Sequence, residues 1–263
     1  MLDTIIVPVS LYDEIDMRRI RAAPGHPAGD LIQISCDHPL VPQGRENIVY
    51  RAAELIMRKT RKPQLISIHI KKNIPIGAGL GGGSSDAAAA LVGLNRLLKL
   101  RLSLATIEKL ALALGADVPF FVRARPARAR GIGERLRPLR CLPRFWSVIV
   151  YPGFPVSTEW VYRSFRQKLT KPLVNTSIAT SLKSVGELIN RLENDLEAVT
   201  LKRYPEIGVF KQKLLREGAP GVLMSGSGSS VFGIFASKRA AVNAFRRLRK
   251  EEGAQAFLVH VLT

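Results

Sequence analysis

Histidine and cysteine are scarce, four and two in 263 residues, and that scarcity removes whole classes of chemistry. Cys36 and Cys141 lie far apart and in no C-x-x-C spacing, so neither a disulfide framework nor a thiolate metal site is expected. His26, His38, His69 and His260 are isolated from one another, which disfavours a histidine-based metal centre. No apolar run reaches the roughly 18 residues of a membrane helix. The first twenty residues, with Asp3, Asp13, Glu14 and Asp16, have no sustained apolar core and do not read as a signal peptide. A cytoplasmic protein with no membrane role is the default expectation.

Acidic residues are also short, 21 Asp and Glu against 40 Lys and Arg, for a formal charge of +19. Such a field calls for polyanionic partners. The arginines concentrate between Arg123 and Arg144, with a second group from Arg246 to Lys250 that reads as the solvated face of a helix. A nucleic-acid binder would interleave aromatic residues with its basic ones, yet aromatics are only 6% of the chain and none lies between Arg123 and Arg144. Nucleic acid is therefore disfavoured. An enzyme with polyphosphate substrates uses the same field for steering and charge neutralisation.

The most informative segment is Pro75-Ile76-Gly77-Ala78-Gly79-Leu80-Gly81-Gly82-Gly83-Ser84-Ser85, followed by Asp86 and an apolar-periodic run. Five glycines strip away side chains so that backbone N–H groups can close around an anion, at the positive end of the next helix. The alternating segment 65–70 before it reads as a strand. No Gly-Lys-Ser/Thr follows, which excludes a P-loop. Gly77, Gly79 and Gly82 satisfy G-x-G-x-x-G, but a dinucleotide fold needs a strand after the helix, and here Ser103 caps a second amphipathic helix instead.

Two more segments carry candidate chemistry. Ser225-Gly226-Ser227-Gly228-Ser229-Ser230 joins two strand-like runs and is richer in N–H and O–H donors than a tight hairpin requires; it reads as a second clamp on a phosphate or as an ordinary polar turn. Asp117, in Gly115-Ala-Asp-Val-Pro-Phe-Phe121, follows the second helix and precedes a segment expected to be extended by its proline. It reads as a general base near transferring phosphates or as a helix-terminating Asp.

Periodicity predicts strands near residues 5–9, 31–35, 65–70, 146–151, 221–224, 231–236 and 256–262. It predicts helices near 47–59, onward from a cap at Asp86, and near 104–114, 158–169, 179–192, 194–201, 205–217 and 238–252. This is an α+β chain with two sheets, divided near residue 147 into a unit of 1–147 and a unit of 148–263. A monomer and a homodimer are both open.

Taken together, Pro75 to Ser85, Gly115 to Phe121 and Met224 to Phe232 resemble the three motifs of the GHMP kinase superfamily. Leu11 to Glu14, Asn47 to Ala53, Gly131 to Leu136 and Asn194 to Glu197 add matches in order along nearly the whole chain. The resemblance is to the branch that phosphorylates a cytidine diphosphate-linked sugar alcohol on the non-mevalonate route to isoprenoid precursors. It implies a mixed N-terminal sheet with helices, a ferredoxin-like C-terminal unit, and ATP with Mg²⁺. It further implies Asp117 as the base that deprotonates the acceptor hydroxyl, an ATP-phosphate loop at 75–85, Asn47 and Lys72 near the adenine, and Tyr162 stacked on the cytosine. The family's opening Pro-Ala-Lys-x-Asn-Leu and the following Gly-Tyr-His have no counterpart here. The expectation is that Met1 is an internal methionine and that translation starts roughly 25 to 30 codons upstream, since a domain opening in an apolar strand exposes a sheet edge.

Overall fold

The computed structural model describes residues 2–20, 31–60, 64–166 and 181–263. In chain order the first part holds β1 (Leu2–Ile6), β2 (Glu14–Arg19), β3 (Ile32–Cys36), α1 (Ile48–Met57), β4 (Ile66–Lys71), α2 (Gly82–Leu97), α3 (Leu104–Leu112), α4 (Val118–Arg123), β5 (Ala127–Gly131) and β6 (Arg135–Pro138). The second part holds β7 (Trp146–Tyr151), α5 (Thr158–Arg166), α6 (Val185–Ile189), α7 (Glu197–Arg203), α8 (Glu206–Arg216), β8 (Gly221–Met224), β9 (Val231–Phe235), α9 (Lys238–Leu248) and β10 (Gln255–His260).

Among the described residues three sheets form, where two were expected. The mixed sheet β2-β4-β3 carries the first core: β3 runs parallel to β4 and β2 antiparallel to it. Ile66, Ile68 and Ile70 of β4 alternate inward and meet Ile56 of α1, Leu91 and Leu94 of α2 and Ile107 of α3, all essentially solvent-free. The separate antiparallel sheet β1-β5-β6 is built from the arginine-rich stretch that composition alone presents as a charged run. Alternation explains it: Ala127 and Ala129 face inward between the arginines, the period of a strand. Arg128 is buried because it meets Asp3 in a two-point ion pair at 2.7 and 2.6 Å.

The C-terminal sheet has the order β10-β7-β9-β8 with every neighbour antiparallel. Strand, helices, two strands, helix, strand with that order is the ferredoxin-like arrangement. Ile207 and Leu214 of α8 and Ala241 and Ala244 of α9 cover one face over Val148, Val150 and Phe235. The unit begins at Trp146, so the break expected at 147 falls inside β7. β1 runs from Leu2 to Ile6, earlier than the apolar run at 5–9, because Pro8 cannot donate to a sheet. Of the helices expected at 158–169 and 179–192, residues 167–180 lie outside the described set; the described parts form α5 and the short α6.

Candidate active site

The phosphate loop hangs between the two units. Gly81, at φ +70, serves as the N-cap of α2, and Gly77, Gly79 and Gly81 take left-handed φ while Ala78 and Leu80 between them do not. Such alternation turns successive N–H groups to one side and makes an anion-binding nest. The carbonyl edges of the same peptides are held from the opposite side by the C-terminal unit. Val156 N–H donates to Gly77 O at 3.0 Å, Ser230 N–H to Ala78 O at 3.1 Å, and the Ser225 hydroxyl to Gly79 O at 2.9 Å. In a planar trans peptide the N–H points away from its C=O. With three carbonyls drawn toward one body, the N–H groups of Ala78, Gly79 and Leu80 face outward. Gly79 has no room for a side chain, since a Cβ there would run into the backbone oxygens of Ser225 and Gly228.

The second glycine loop is therefore packed onto the first. Its alternating serines are engaged with protein: Ser225 with Gly79 O, Ser227 with the Thr158 hydroxyl at 2.8 Å, and Ser229 with Phe154 O. Asn194 holds it from behind, donating to Met224 O at 2.9 Å and Gly226 O at 2.8 Å. Glu197 accepts from Met224 N–H at 2.8 Å. The Ser225 and Ser229 hydroxyls thus donate within the protein, while Ser227 shares a hydroxyl–hydroxyl bond with Thr158 in which either oxygen can be the donor.

Asp117 is not followed by an extended segment. Val118 begins α4 and Pro119 sits in its first turn, where the missing N–H costs no helical bond. Asp117 is the N-cap residue, but its carboxylate caps nothing and has no partner among the described residues. Asp117 is exposed to solvent, yet the protein around it still raises its pKa above the ordinary carboxylate value by partial desolvation. A Cβ on Gly133, in the β5–β6 turn, would lie 3.2 Å from its Oδ1. Tyr162 of α5 is near enough that Asp117's charge, after burial, raises its phenol. The Phe121 ring of α4 lies against Gly81, where a Cβ would meet it at 2.8 Å, so α4 joins Asp117 to the end of the glycine loop.

Two expected adenine contacts are placed differently. Asn47 is buried as the N-cap of α1, its Oδ1 accepting from Val49 N–H at 2.8 Å and its Nδ2 donating to Pro42 O at 2.7 Å. Both ends of that side chain are occupied by its own helix start. Lys72 is buried beneath the start of α2 and ion-paired to Asp13 and, at 2.8 Å, to Asp86. Asp13 also accepts from the N–H groups of Asn73 and Ile74, at 2.6 and 2.8 Å, which fixes the entry to the phosphate loop. Burial outweighs Lys72 at Asp86 and pushes its carboxyl up to about 7.

Asp86, expected as the helix cap, lies inside α2, whose N-cap is Gly81, because the glycine run itself enters the helix. Pattern reading did not single out Gly133, Phe121, Val156 or Asp13 for a role; Gly133, Phe121 and Asp13 lay inside matched stretches, but what makes them matter is a neighbour more than fifteen positions away in sequence.

Residues 47–125 match the model of the GHMP kinase N-terminal domain and residues 173–255 that of the GHMP kinase C-terminal domain. The 4-diphosphocytidyl-2-C-methyl-D-erythritol kinases of Citrifermentans bemidjiense and Syntrophotalea carbinolica are 46% and 45% identical to this chain. Those matches span 96% and 95% of it and 87% and 86% of their own lengths. The chain belongs to the 4-diphosphocytidyl-2-C-methyl-D-erythritol kinase family of GHMP kinases. A crystal structure of a 4-(cytidine 5'-diphospho)-2C-methyl-D-erythritol kinase superposes on 99% of this chain and 90% of its own with a TM-score of 0.79 at 35% identity. Homoserine kinase from Cytophaga hutchinsonii, at 19% identity and a TM-score of 0.70, shares the fold. Within the family frame the three motifs fall where the structure brings them together, around α4 and the two glycine loops.

Proposed function

We propose that this protein transfers the γ-phosphoryl group of ATP to the C2 hydroxyl of 4-diphosphocytidyl-2-C-methyl-D-erythritol. The observation that carries the reading is that α4 links an outward-facing N–H nest at Ala78 to Leu80, through Phe121 on Gly81, to an unpartnered carboxylate at Asp117 whose charge reaches the aromatic ring of Tyr162. The nest and the N-terminus of α2 hold the ATP phosphates. Asp117 accepts the proton of the attacking hydroxyl, and Tyr162 offers its ring face to the cytosine. Transfer is in line, so most of the catalysis is positioning and charge stabilisation.

Magnesium fits this site as a companion of the nucleotide. Among the described residues no three His, Cys, Asp or Glu cluster as a metal cage, and Asp86 is turned into its ion pairs. The Ser84 hydroxyl in the first turn of α2 would offer a protein oxygen; the phosphates and water would supply the remainder. When bound, Mg²⁺ neutralises charge on the phosphates.

The direct test is product formation. The chain incubated with ATP and the cytidine substrate is expected to release ADP and give a new phosphomonoester by ³¹P NMR, with CDP competing and neither homoserine nor mevalonate accepted. Turnover of mevalonate or homoserine without inhibition by CDP would replace this substrate with another of the superfamily.

A further inference from the structure

The serines of the second glycine loop alternate in direction as well as in sequence. Ser225 reaches into the N-terminal unit and holds the Gly79 carbonyl of the phosphate loop, while the Ser230 N–H holds that of Ala78. Ser227 turns the other way, to the hydroxyl of Thr158, the first residue of the helix that carries Tyr162. Ser229 fixes Phe154 O in the segment between them, and Val156 in that segment holds Gly77 O. The loop itself does not yield easily. Asn194 grips Gly226 O in the loop and Met224 O at the end of β8, Glu197 accepts from the N–H of the same Met224, and the Thr200 hydroxyl donates to Ser227 O at 3.2 Å. Ser227, Ser229 and Ser230 are at most 5% exposed. A rigid element bonded on one flank to the nucleotide loop and on the other to the acceptor helix can orient both substrates without touching either.

We propose that the loop Ser225–Ser230 is a two-sided positioning element: Ser225 sets the peptide planes that bind the ATP phosphates, and Ser227 sets the helix that presents Tyr162 to the cytidine substrate. Asn194 and Glu197 act through it as its anchors. Loss of the Ser225 hydroxyl frees the Gly79 peptide to rotate, which turns the Leu80 N–H out of the nest. Loss of the Ser227 hydroxyl loosens only the start of α5. The two effects belong to different substrates although the residues are two apart.

This inference rests on the kinase reading above, and the experiment separates the two. Wild type, Ser225→Ala, Ser225→Thr and Ser227→Ala are compared as full chains for the KM of each substrate and for the Kd of ATP and of adenosine by calorimetry. KM and Kd do not depend on the fraction of enzyme folded, so reduced yield of a variant leaves them readable. Ser225→Ala is expected to raise KM and Kd for ATP about 3- to 10-fold, the worth of one hydrogen bond, with adenosine and the cytidine substrate unmoved. Ser225→Thr, which keeps the donor, should restore most of the loss. Ser227→Ala should show the mirror pattern, a rise of similar size confined to the cytidine substrate. Variants that shift both substrates together, or neither, overturn the two-sided role while leaving the kinase reading in place. A wild-type chain that neither binds ATP nor transfers phosphate overturns the reading itself.

Discussion

Asp117 carries a cost in the folded protein that its chemistry explains. Burial raises its carboxyl and no cation compensates among the described residues. A carboxyl whose folded pKa lies above its unfolded value favours the folded state less as pH climbs from the unfolded pKa through the folded one. Asp117→Asn is therefore expected to raise Tm at pH 7 to 8, with the gain over wild type vanishing below about pH 4. The same substitution should lower kcat by about 100-fold or more while ATP still binds, because it removes a proton acceptor and leaves the nest intact. Gain of stability with loss of turnover marks a functional carboxylate; a helix-capping Asp would lose Tm instead. Tyr162→Ala gives the companion result at the other end of the cleft. It should raise KM for the cytidine substrate by about 5-fold or more, stacking contributing about 1 to 3 kcal/mol per base, whereas Tyr162→Phe, which keeps the ring, should not. Steady-state kinetics with both substrates decides it, and an unchanged KM for the alanine variant would make Tyr162 purely a packing residue.

At the scale of elements, the phosphate loop is held at both ends, and the holding was only half legible from the chain. The glycine spacing, the strand before it and the helix after it announced an anion site, and Asp117 could be found from its motif. What the pattern could not show was that the Lys72 and Asn47 side chains are buried and engaged by protein partners. A side chain's burial and partners depend on segments such as Asp13 and Pro42 that come together only in the fold. The strands β5 and β6 were hidden by arginines that composition counts as a surface, and β2 by charges on its open face. The triad of Lys72, Asp13 and Asp86 ties the loop before β2, the end of β4 and the second turn of α2, with all three side chains at most 6% exposed. Removing its only cation leaves two buried carboxylates side by side. Lys72→Met is expected to destabilise the protein by about 3 to 5 kcal/mol in denaturant unfolding at pH 8. Asp86→Asn should do the reverse: it keeps an acceptor for Lys72 and abolishes the loss of stability that wild type suffers as pH rises from about 4 to about 7. A Lys72→Met variant as stable as wild type would mean that Lys72 does not anchor the loop.

Across the whole molecule the excess of positive charge is largest as a design question at the β5–β6 hairpin. Register places Arg137 opposite Arg128 and Arg135 opposite Arg130, and like charges across strands destabilise a pair. Asp3 and Glu134 relieve part of this, but Arg135 and Arg137 remain exposed. The turn that joins the strands carries Gly133 against Asp117, so the hairpin that bears these arginines adjoins the proposed site. Both proposed substrates are polyphosphates, and a basic rim raises their encounter rate by about 10- to 1,000-fold at low salt. Raising NaCl from about 20 mM to about 500 mM should therefore lower kcat/KM for both substrates by about 10-fold or more while kcat at saturation holds, since screening acts on approach. The double variant Arg135→Glu, Arg137→Glu separates steering from a solvated surface. It puts acids opposite Arg130 and Arg128, so the hairpin should gain stability, yet kcat/KM at low salt should fall and its salt dependence flatten. Retention of the wild-type salt slope by that variant would move the steering charge elsewhere, to the arginines of α9, and leave the hairpin's like-charged register without a functional reason.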